Sequence, residues 1–504
     1  MTATRVAVVG STTAAWLTAA ALARALDQQH LQLTVVTGAD TDSNVGPFAS
    51  CDAIQPTPDD TNSLHGINED FLVARDAASF TYGIALTGWS RPDASYFHPF
   101  AEPGASLGPL SFHHIVRRLR KSGSEVRYAN YSLASLAAQS QRFSRPGGDP
   151  GSVLSTVNYG LHVDLEDVAA QMRRTVESAG IRIIDDTIGE VVRNDDGTVA
   201  ALVLDAGERL EAGLFIDCSA RGEQLVDRIG GTEWLPWSSS FPFDRFVTAS
   251  VPPDPAIAPF SQSQAYRDGW IHYVPTPRRA ALTAFFSGEA ANDEQASTLL
   301  QQFAGCELED AAGGACRFGR QSVFWSGNCI AIGPAAVRID PVGCSNLSLL
   351  QLGIDRLLRL LPGGSDTTVE AAEYNRQMTG LCERARDFAF VHYRLNGRRG
   401  DPAWDAVRGA AGSPELEYTI KLYESRGHVV SYDEEPLDES SWINLFDEHG
   451  LRPRTYNRIA DGFDLAVLQE HLGRIREAMI DELKRMPLHS DYLASIRAST
   501  GRDE

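Results

Sequence analysis

The chain is poor in lysine. Only three of its 504 residues are lysines, and the first of them is Lys121. No side-chain amine is therefore available to any site built from the residues that precede Lys121. The scarcity also shapes the charge, because 45 Lys and Arg against 66 Asp and Glu leave a formal net charge of −21. That field argues against nucleic acid as a partner, and pairs such as Arg117-Arg118 are too short to offset it.

Cysteine is also sparse, and long hydrophobic runs are missing. The seven cysteines show no C-x-x-C spacing, and such an odd, unclustered set indicates reduced thiols in a cytoplasmic protein without a metal centre. Residues 6–25 are apolar, but Gly10 and a Ser-Thr-Thr run interrupt them, which favours a strand and a helix over a signal peptide. No other stretch reaches the roughly 20 apolar residues of a membrane span. We therefore expect no membrane partner.

The N-terminal segment has the pattern of a strand–helix–strand unit. Arg5–Val9 is a short apolar run, Ser11–Thr13 can cap a helix to about Leu26, and Leu33–Val36 forms the second strand. This unit opens a doubly wound α/β domain. Residues 38–70 are rich in Asp, Asn, Pro and Gly, and we predict that they are mostly loop.

The rest of the chain alternates strands with helices and then becomes mainly helical. The predicted elements are, in chain order, a helix at Leu165–Ala179, strands at Arg182–Ile184 and Gly189–Val192, a hairpin turn at Asn194–Gly197, a strand at Leu214–Asp217, a proline-interrupted sheet at 245–290, a buried strand at Asn328–Ile332, an apolar helix at Asn346–Leu361, and an amphipathic helix from Leu465 to Leu483.

The turn between the first strand and helix is where a dinucleotide fold binds a pyrophosphate. In that fold one glycine makes the turn, a second lets the pyrophosphate approach the backbone, and a third packs helix on strand. Here the run is Gly10-Ser11-Thr12-Thr13-Ala14-Ala15, so only the first glycine remains and Thr12 places a side chain near the phosphates. The three hydroxyls could still donate to phosphate oxygens.

The second strand ends without the acid that would hold an adenosine ribose. Thr37 stands at that position, and Asp40 lies nearby and could substitute. Taken alone, this segment is compatible with a nucleotide site or with a structural strand–helix–strand unit.

Short motifs occur in a fixed order along nearly the whole chain. They are Ala78–Ile84 with Trp89, Tyr96–Phe100, Leu214–Ser219, Gly269–Pro275, Ile332–Ala336 with Asp340-Pro341, Arg386–Phe388, His392-Tyr393, Ser441-Trp442 and Asp491–Leu493. Together they resemble the flavin-dependent tryptophan halogenases.

This resemblance implies an α/β fold of the FAD-dependent monooxygenase and halogenase type. It places a doubly wound flavin-monooxygenase-like domain at residues 1–365, with interleaved substrate-binding segments at about 70–155 and 235–320. A mainly helical C-terminal region follows at residues 366–504.

The resemblance also implies a chemistry. In that family reduced FAD, supplied by a separate flavin reductase, reacts with O₂, and hypohalous acid formed from halide travels to a pocket that holds an aromatic substrate. A lysine carries or orients the active halogen, and a glutamate assists. The lysine position is Thr81 in this chain and the glutamate position is Gly343. We therefore expect an FAD-dependent oxidoreductase that is not a standard halogenase.

Further positions are assigned by the same resemblance. The cofactor-binding set adds to residues 10–15 and Thr37 the residues Gly46, Gly333, Pro334, Ser345 and Asn346. The substrate-pocket set is His98, Phe100, Trp270, His272 and Trp442. The amides beside Ser345 could face the flavin or bind an anion, or the residue could be only a helix cap. For the pocket, a structural aromatic cluster with a core histidine is the alternative.

Two functions of different classes stay open at this stage. The first is an FAD-dependent enzyme that oxygenates an aromatic small molecule or peptide, or halogenates it by an altered route. The second is a non-catalytic halogenase-like paralogue that binds a ligand or a partner protein. FMN, or a nucleotide without adenosine, would suit the reduced phosphate and ribose contacts, and a homodimer is compatible with the helical C-terminal surface.

Overall fold

The structure, a computed structural model, describes residues 4–26, 31–38, 50–56, 61–220, 225–362, 364 and 366–500. Its strands are β1 Thr4–Val9, β2 Leu31–Val36, β3 Cys51–Ile54, β4 Ala78–Thr81, β5 Gly83–Thr87, β6 Ser95–Pro99, β7 Gly160–Asp164, β8 Arg182–Ile184, β9 Ile188–Arg193, β10 Val199–Leu204, β11 Arg209–Leu210, β12 Leu214–Asp217, β13 Trp234–Pro236, β14 Arg245–Val251, β15 Ser261–Tyr266, β16 Gly269–Pro275, β17 Ala280–Phe286, β18 Glu309–Ala315, β19 Gly319–Gln321, β20 Trp325–Ser326, β21 Cys329–Ala331 and β22 Val337–Arg338.

The helices complete the set of elements. They are α1 Thr13–Ala25, α2 Thr61–His65, α3 Glu69–Ala74, α4 Phe112–Lys121, α5 Leu133–Gln139, α6 Leu165–Ser178, α7 Val226–Ile229, α8 Asp293–Ala304, α9 Asn346–Arg359, α10 Thr368–Arg394, α11 Pro402–Arg408, α12 Pro414–Arg426, α13 Glu439–Glu448, α14 Leu465–Arg485 and α15 His489–Thr500. Short 3₁₀ turns lie at Tyr128–Tyr131, Val153–Thr156, Gly333–Ala335 and Arg458–Gly462.

The N-terminal unit forms a parallel sheet, as the apolar pattern predicts. Within the described residues this sheet has the strand order β20-β21-β12-β1-β2-β8, and its pairs are parallel except for β20 with β21. Strand β1 pairs in parallel with both neighbours, so that Val6 faces Leu33 on one side and Leu214 on the other. Helix α1 packs against α6 and buries a face made largely of alanine. The small side chains let the helix lie close to the sheet, as a doubly wound fold requires.

A second, larger sheet combines two distant parts of the chain. Its order is β18-β14-β17-β16-β15-β5-β6, and its pairs are antiparallel except for β15 with β5. Strands β5 and β6 come from the segment after residue 80, while the others lie between residues 245 and 315. The expected proline-interrupted sheet is therefore confirmed.

The prediction of loop over residues 38–70 was wrong for part of that segment. Strand β3 and helices α2 and α3 lie within it, and β3 pairs with β7 in a small sheet of order β3-β7-β4. The polar composition of the segment carries no local signal for β3. All four side chains of this strand are buried, and that burial comes from the rest of the folded protein.

The C-terminal part is mainly helical, as predicted. Helix α14 buries Leu468, Leu472 and Met479, as the amphipathic spacing predicts, but Leu465, the first residue of that apolar series, is exposed. One continuous hydrophobic core runs from the parallel sheet into these helices. In the described part of the chain, no helix has the length and apolar character needed to cross a bilayer.

Candidate active site

The candidate cofactor site lies at the carboxyl edge of the parallel sheet, where the chain turns from β1 into α1. Gly10 has φ +137°, and a β-carbon there would lie 2.9 Å from the carbonyl oxygen of Cys218. Gly333 has φ +64°, and its β-carbon would lie 2.9 Å from that of Ala14. Both glycines are required by close packing around the start of α1. The turn leads directly into the N-terminus of a helix, which is the arrangement at which dinucleotide folds bind a diphosphate.

The threonine hydroxyls at this turn bond to the protein itself. Thr12 Oγ1 donates to the carbonyl of Cys218 at 3.4 Å, and Thr13 Oγ1 donates to the carbonyl of Leu165 at 3.0 Å. A hydroxyl has a single proton, so neither side chain can donate to a phosphate in this arrangement. The carbonyl of Ser11 accepts from Trp16 Nε1 at 3.0 Å.

The remaining cofactor candidates have local contacts of their own. Ala15 belongs to the buried face of α1, and the carbonyl of Pro334 accepts from Arg338 Nε at 3.2 Å. Thr37 Oγ1 donates to Asp185 Oδ1 at 3.2 Å. Asp40 and Gly46 lie outside the described residues.

The N-terminus of α9 is capped by residues of β3 and its flank. Ser345 accepts through Oγ from the amide of Ser348 at 3.1 Å, and the Ser345 amide donates to Gln55 Oε1 at 3.1 Å. The amide of Leu347 donates to Asp52 Oδ2 at 3.1 Å. Burial raises the pKa of Asp52 to about 6, against hydrogen bonds that lower it. A carboxylate therefore occupies part of the helix end at which an anion would bind.

Asn346 and Asp340 hold the loop that leads into α9. The Asn346 side chain accepts from the amide of Ile339 at 3.0 Å and donates to its carbonyl at 3.0 Å. Asp340 is fully buried and accepts from the Tyr393 hydroxyl at 2.7 Å. Burial raises the pKa of Asp340 to about 7.

Thr81 ends strand β4 in a fully buried position. Its hydroxyl donates to the carbonyl of Gly83 at 3.1 Å, so its hydrogen bond is local. Thr81 pairs with Gly160 on β7, and the ring of Phe100 lies beside Gly160. The structure thus brings one pocket candidate, Phe100, close to the position of the family's lysine.

Gly343 lies in a crowded turn. Its φ is +81°, and a β-carbon would lie 2.8 Å from Phe388 Cε1 and 3.0 Å from His392 Nε2. The Gly343 carbonyl accepts from Gln55 Nε2 at 3.0 Å. Two side chains of α10 therefore fill the space that a side chain at residue 343 would enter.

Two pocket candidates meet at Phe388. His98 and Trp442 are both buried, and their rings lie 5.6 Å and 5.0 Å from that of Phe388, edge to face. Trp442 Nε1 donates to Glu435 Oε1 at 3.1 Å. Burial raises the pKa of Glu435 to about 7.

The other two pocket candidates lie on β16. The ring of Trp270 stacks on Phe285 at 4.7 Å and contacts His272 at 5.6 Å. Burial lowers the pKa of His272 to about 4, so its ring is neutral at neutral pH. Trp89 lies between Trp270 and His392, at 5.4 Å and 5.7 Å, and links this pair to the rings around Phe388.

Several residues of this region were not among the sequence-derived site candidates. Asp52 and Gln55 were missed because they fall in the segment predicted to be loop. Phe388 and His392 belong to two of the ordered motifs, but no local pattern indicates that they pack against Gly343. In the described part of the chain, no three His, Cys, Asp or Glu side chains are arranged to hold a metal ion.

Comparisons with known proteins give matches over nearly the whole length of the chain. A family model described as tryptophan halogenase matches residues 5–464. The tryptophan 6-halogenase SttH of Streptomyces toxytricini is 24% identical over 525 residues, covering 98% of this chain and 98% of that protein.

Solved structures give a closer likeness. BrvH, a flavin-dependent halogenase from Brevundimonas sp. BAL3, superposes with a TM-score of 0.90 at 30% identity, covering 98% of this chain and 99% of that one. Xcc4156, a flavin-dependent halogenase from Xanthomonas campestris, gives a TM-score of 0.91 at 29% identity, with coverage of 98% and 99%.

Proposed function

We propose that this chain, which belongs to the tryptophan halogenase family, is an FAD-dependent enzyme that oxidises an aromatic small molecule without a lysine–glutamate pair. The observation that carries the departure from the family chemistry is the turn at Gly343. Phe388 and His392 fill the space beside it, so a glutamate side chain has no room there. Thr81, at the lysine position, offers a neutral hydroxyl that donates to the carbonyl of Gly83 at the start of β5.

The cofactor in this proposal is FAD, held at the turn between β1 and α1. The N-terminus of α1, with Gly10, Ser11 and Gly333, would take the diphosphate, and the loop from Asp340 to Asn346 would face the flavin ring. Reduced FAD, when bound, supplies the two electrons that reduce O₂. A separate flavin reductase would supply it. The contacts of Thr12 and Thr13 with backbone carbonyls favour weaker binding than a full glycine motif would give.

The substrate in this proposal is an electron-rich aromatic small molecule. His98, Phe388 and Trp442 form a group of rings whose faces and edges could stack against it. Phe100 would border the same pocket from the side of Thr81, and Trp270 with His272 would separate it from the flavin.

A second candidate function is a non-catalytic paralogue that binds a ligand or a partner. The observation in its favour is the start of α9, where Asp52 and Gln55 accept from the amides of Leu347 and Ser345. These contacts compete with a halide or a flavin edge for the same helix end.

Anaerobic titration with reduced FAD, followed by mixing with O₂, separates the two candidates. An enzyme binds reduced FAD and accelerates its oxidation over that of free flavin. A paralogue that binds only a partner leaves the flavin spectrum and its oxidation rate unchanged at high micromolar concentration.

The organisation and location of the protein belong to the same proposal. Residues 1–365 would carry flavin and substrate, and residues 366–504 would form the helical region that closes the pocket and could support a homodimer. All seven cysteines are free thiols, which suits the cytoplasm.

A further inference from the structure

His392 lies where the missing side chain of residue 343 would project. A β-carbon at Gly343 would be 3.0 Å from His392 Nε2. His392 is fully buried, and its Nε2 has no hydrogen-bond partner among the described residues. A buried polar atom without a hydrogen-bond partner lowers the stability of a folded protein by about 1–3 kcal/mol. Such atoms are rare in folded proteins, and this one indicates a functional role.

A chain of hydrogen bonds fixes which nitrogen of His392 carries the proton. His449 Nδ1 lies 3.1 Å from the carbonyl of Leu395, which can only accept, so Nδ1 holds the proton of His449. The Nε2 of His449 lies 3.0 Å from the Tyr96 hydroxyl oxygen and therefore accepts the hydroxyl proton. The Tyr96 oxygen in turn accepts from His392 Nδ1 at 3.0 Å.

This order leaves Nε2 of His392 as a bare lone pair directed toward residue 343. The imidazoles of His392 and His449 are both neutral at neutral pH. Burial lowers the pKa of His449 to about 4. Burial, together with the neighbouring rings of His449 and His98, lowers the pKa of His392 well below its usual range.

The lone pair borders the aromatic group that includes the pocket candidates. The rings of His392 and His98 lie on Phe388 at 5.7 Å and 5.6 Å, and Trp442 contacts the same ring at 5.0 Å. An aromatic substrate that displaces part of this cluster would bring a ring carbon toward His392 Nε2. Nothing comparable holds the proton of His98, since neither of its nitrogens has a partner among the described residues.

We propose that His392, through Nε2, accepts the ring proton of the aromatic substrate and so performs the task that falls to a carboxylate elsewhere in the family. The proposal rests on the proposed function, which supplies the oxidant. Tyr96 and His449 are positioning residues that keep Nε2 unprotonated before the reaction.

The step balances for a neutral two-electron oxidant Y–OH, where Y is halogen in hypohalous acid or hydroxyl in hydrogen peroxide. The ring carbon forms a bond to Y, the Y–O bond breaks, and hydroxide leaves with its electron pair. The C–H electron pair returns to the ring and the proton goes to His392 Nε2. Transfer of that proton to hydroxide gives water and restores neutral imidazole. A protonated ring intermediate is a far stronger acid than imidazolium, so a lowered pKa does not prevent His392 from accepting.

The first test determines which ring nitrogen of His392 is protonated, and it needs no flavin. In the full-length protein labelled with ¹⁵N-histidine, NMR should show His392 protonated at Nδ1 and bare at Nε2. His113 is an internal reference of opposite tautomer, because its Nε2 lies 2.9 Å from the carbonyl of Gly427 and must donate. A proton on His392 Nε2 would overturn the proposal.

The second test reads the reaction. His392→Asn keeps an amide donor for Tyr96 and removes Nε2. His489→Asn is the matched control. His489 is also buried, its Nδ1 bonds a backbone carbonyl at 2.9 Å where that of His392 bonds Tyr96, and its Nε2 also has no partner among the described residues. Each variant is given reduced FAD, O₂, bromide and an arene (indole, phenol or tryptophan) that is either normal or ring-deuterated.

We expect His392→Asn to oxidise reduced FAD at the wild-type rate while its product yield per O₂ falls by about 100-fold. Its remaining reaction should become slower with the deuterated ring, and His489→Asn should behave as wild type. Equal yields and no isotope effect in both variants would contradict the role of His392, as would a wild type that transforms none of the three arenes. Failure of the proposed function shows separately, as wild-type protein that does not accelerate flavin oxidation.

Discussion

Restoring a glutamate at Gly343 should damage the protein instead of reviving the family chemistry. The change Gly343→Glu places a β-carbon at φ +81°, 2.8 Å from Phe388 and 3.0 Å from His392. The left-handed backbone costs about 1–2 kcal/mol for a residue with a side chain. Overpacking of a filled core costs about 1–3 kcal/mol more.

A carboxyl group enters the same dry space and adds its own cost. Burial without a matched partner costs about 1–3 kcal/mol, which brings the expected loss for Gly343→Glu to roughly 3–8 kcal/mol. Folded domains have free energies of unfolding of about 5–15 kcal/mol. We therefore expect Gly343→Glu to be largely insoluble or to unfold at much lower urea concentration than wild type.

Alanine variants separate the backbone term from the contacts. Gly400 also has φ +81° but has open space around it. Gly400→Ala should therefore lower the free energy of unfolding only by the cost of the left-handed backbone, about 1–2 kcal/mol. Gly343→Ala should lower the free energy of unfolding in urea by about 1–3 kcal/mol more than Gly400→Ala, because its methyl group overpacks against Phe388 and His392. In a Phe388→Ala background the cost of Gly343→Ala should shrink, since one of its two close contacts is gone. Equal losses at both glycines would refute this account of the turn.

Three further predictions concern the candidate cofactor site and the histidine chain. Thr12→Gly should tighten FAD binding several-fold in a fluorescence titration, because it removes the side chain nearest the diphosphate; unchanged or weaker binding would count against the proposed cofactor site. Tyr96→Phe leaves both His392 Nδ1 and His449 Nε2 without a partner and should lower the free energy of unfolding by about 1–3 kcal/mol. An unchanged free energy of unfolding would show that these hydrogen bonds do not form. The pKa of Asp52 is raised from 3.8 to about 6 on folding, so its contribution to stability is present below pH 3.8 and is lost as the pH rises through 6. Asp52→Asn should therefore gain about 1–3 kcal/mol over wild type between acid and neutral pH in urea unfolding, and parallel pH profiles would contradict the shift.

Local sequence signals were sufficient for the strand–helix–strand unit that opens the doubly wound sheet. Strand β1 is a run of apolar residues followed by a glycine and a hydroxyl-rich helix start, and both signals act within a few residues. They predicted β1, α1 and β2 to within two or three residues. The polar segment that contains β3 gave no such signal, because its burial depends on pairing with β7, more than a hundred residues away.

The chemistry of the site depended on contacts that no local pattern reports. Motif comparison located Thr81 and Gly343, but it could not tell what replaces the absent side chains. The cap on α9 joins Asp52 to Leu347 across 295 residues, and the bond from Tyr96 to His449 spans 353. Such pairs form only when the fold brings distant segments together, so they had to be found in the structure.

The binding of reduced FAD tests the central claim most directly. Purified protein, titrated anaerobically with reduced FAD and then mixed with O₂, should bind the flavin and oxidise it faster than free flavin is oxidised. With an arene and a halide present, product should form although Thr81 and Gly343 carry no amine or carboxylate. A flat titration at high micromolar FAD, with oxidation no faster than in buffer, would contradict the account.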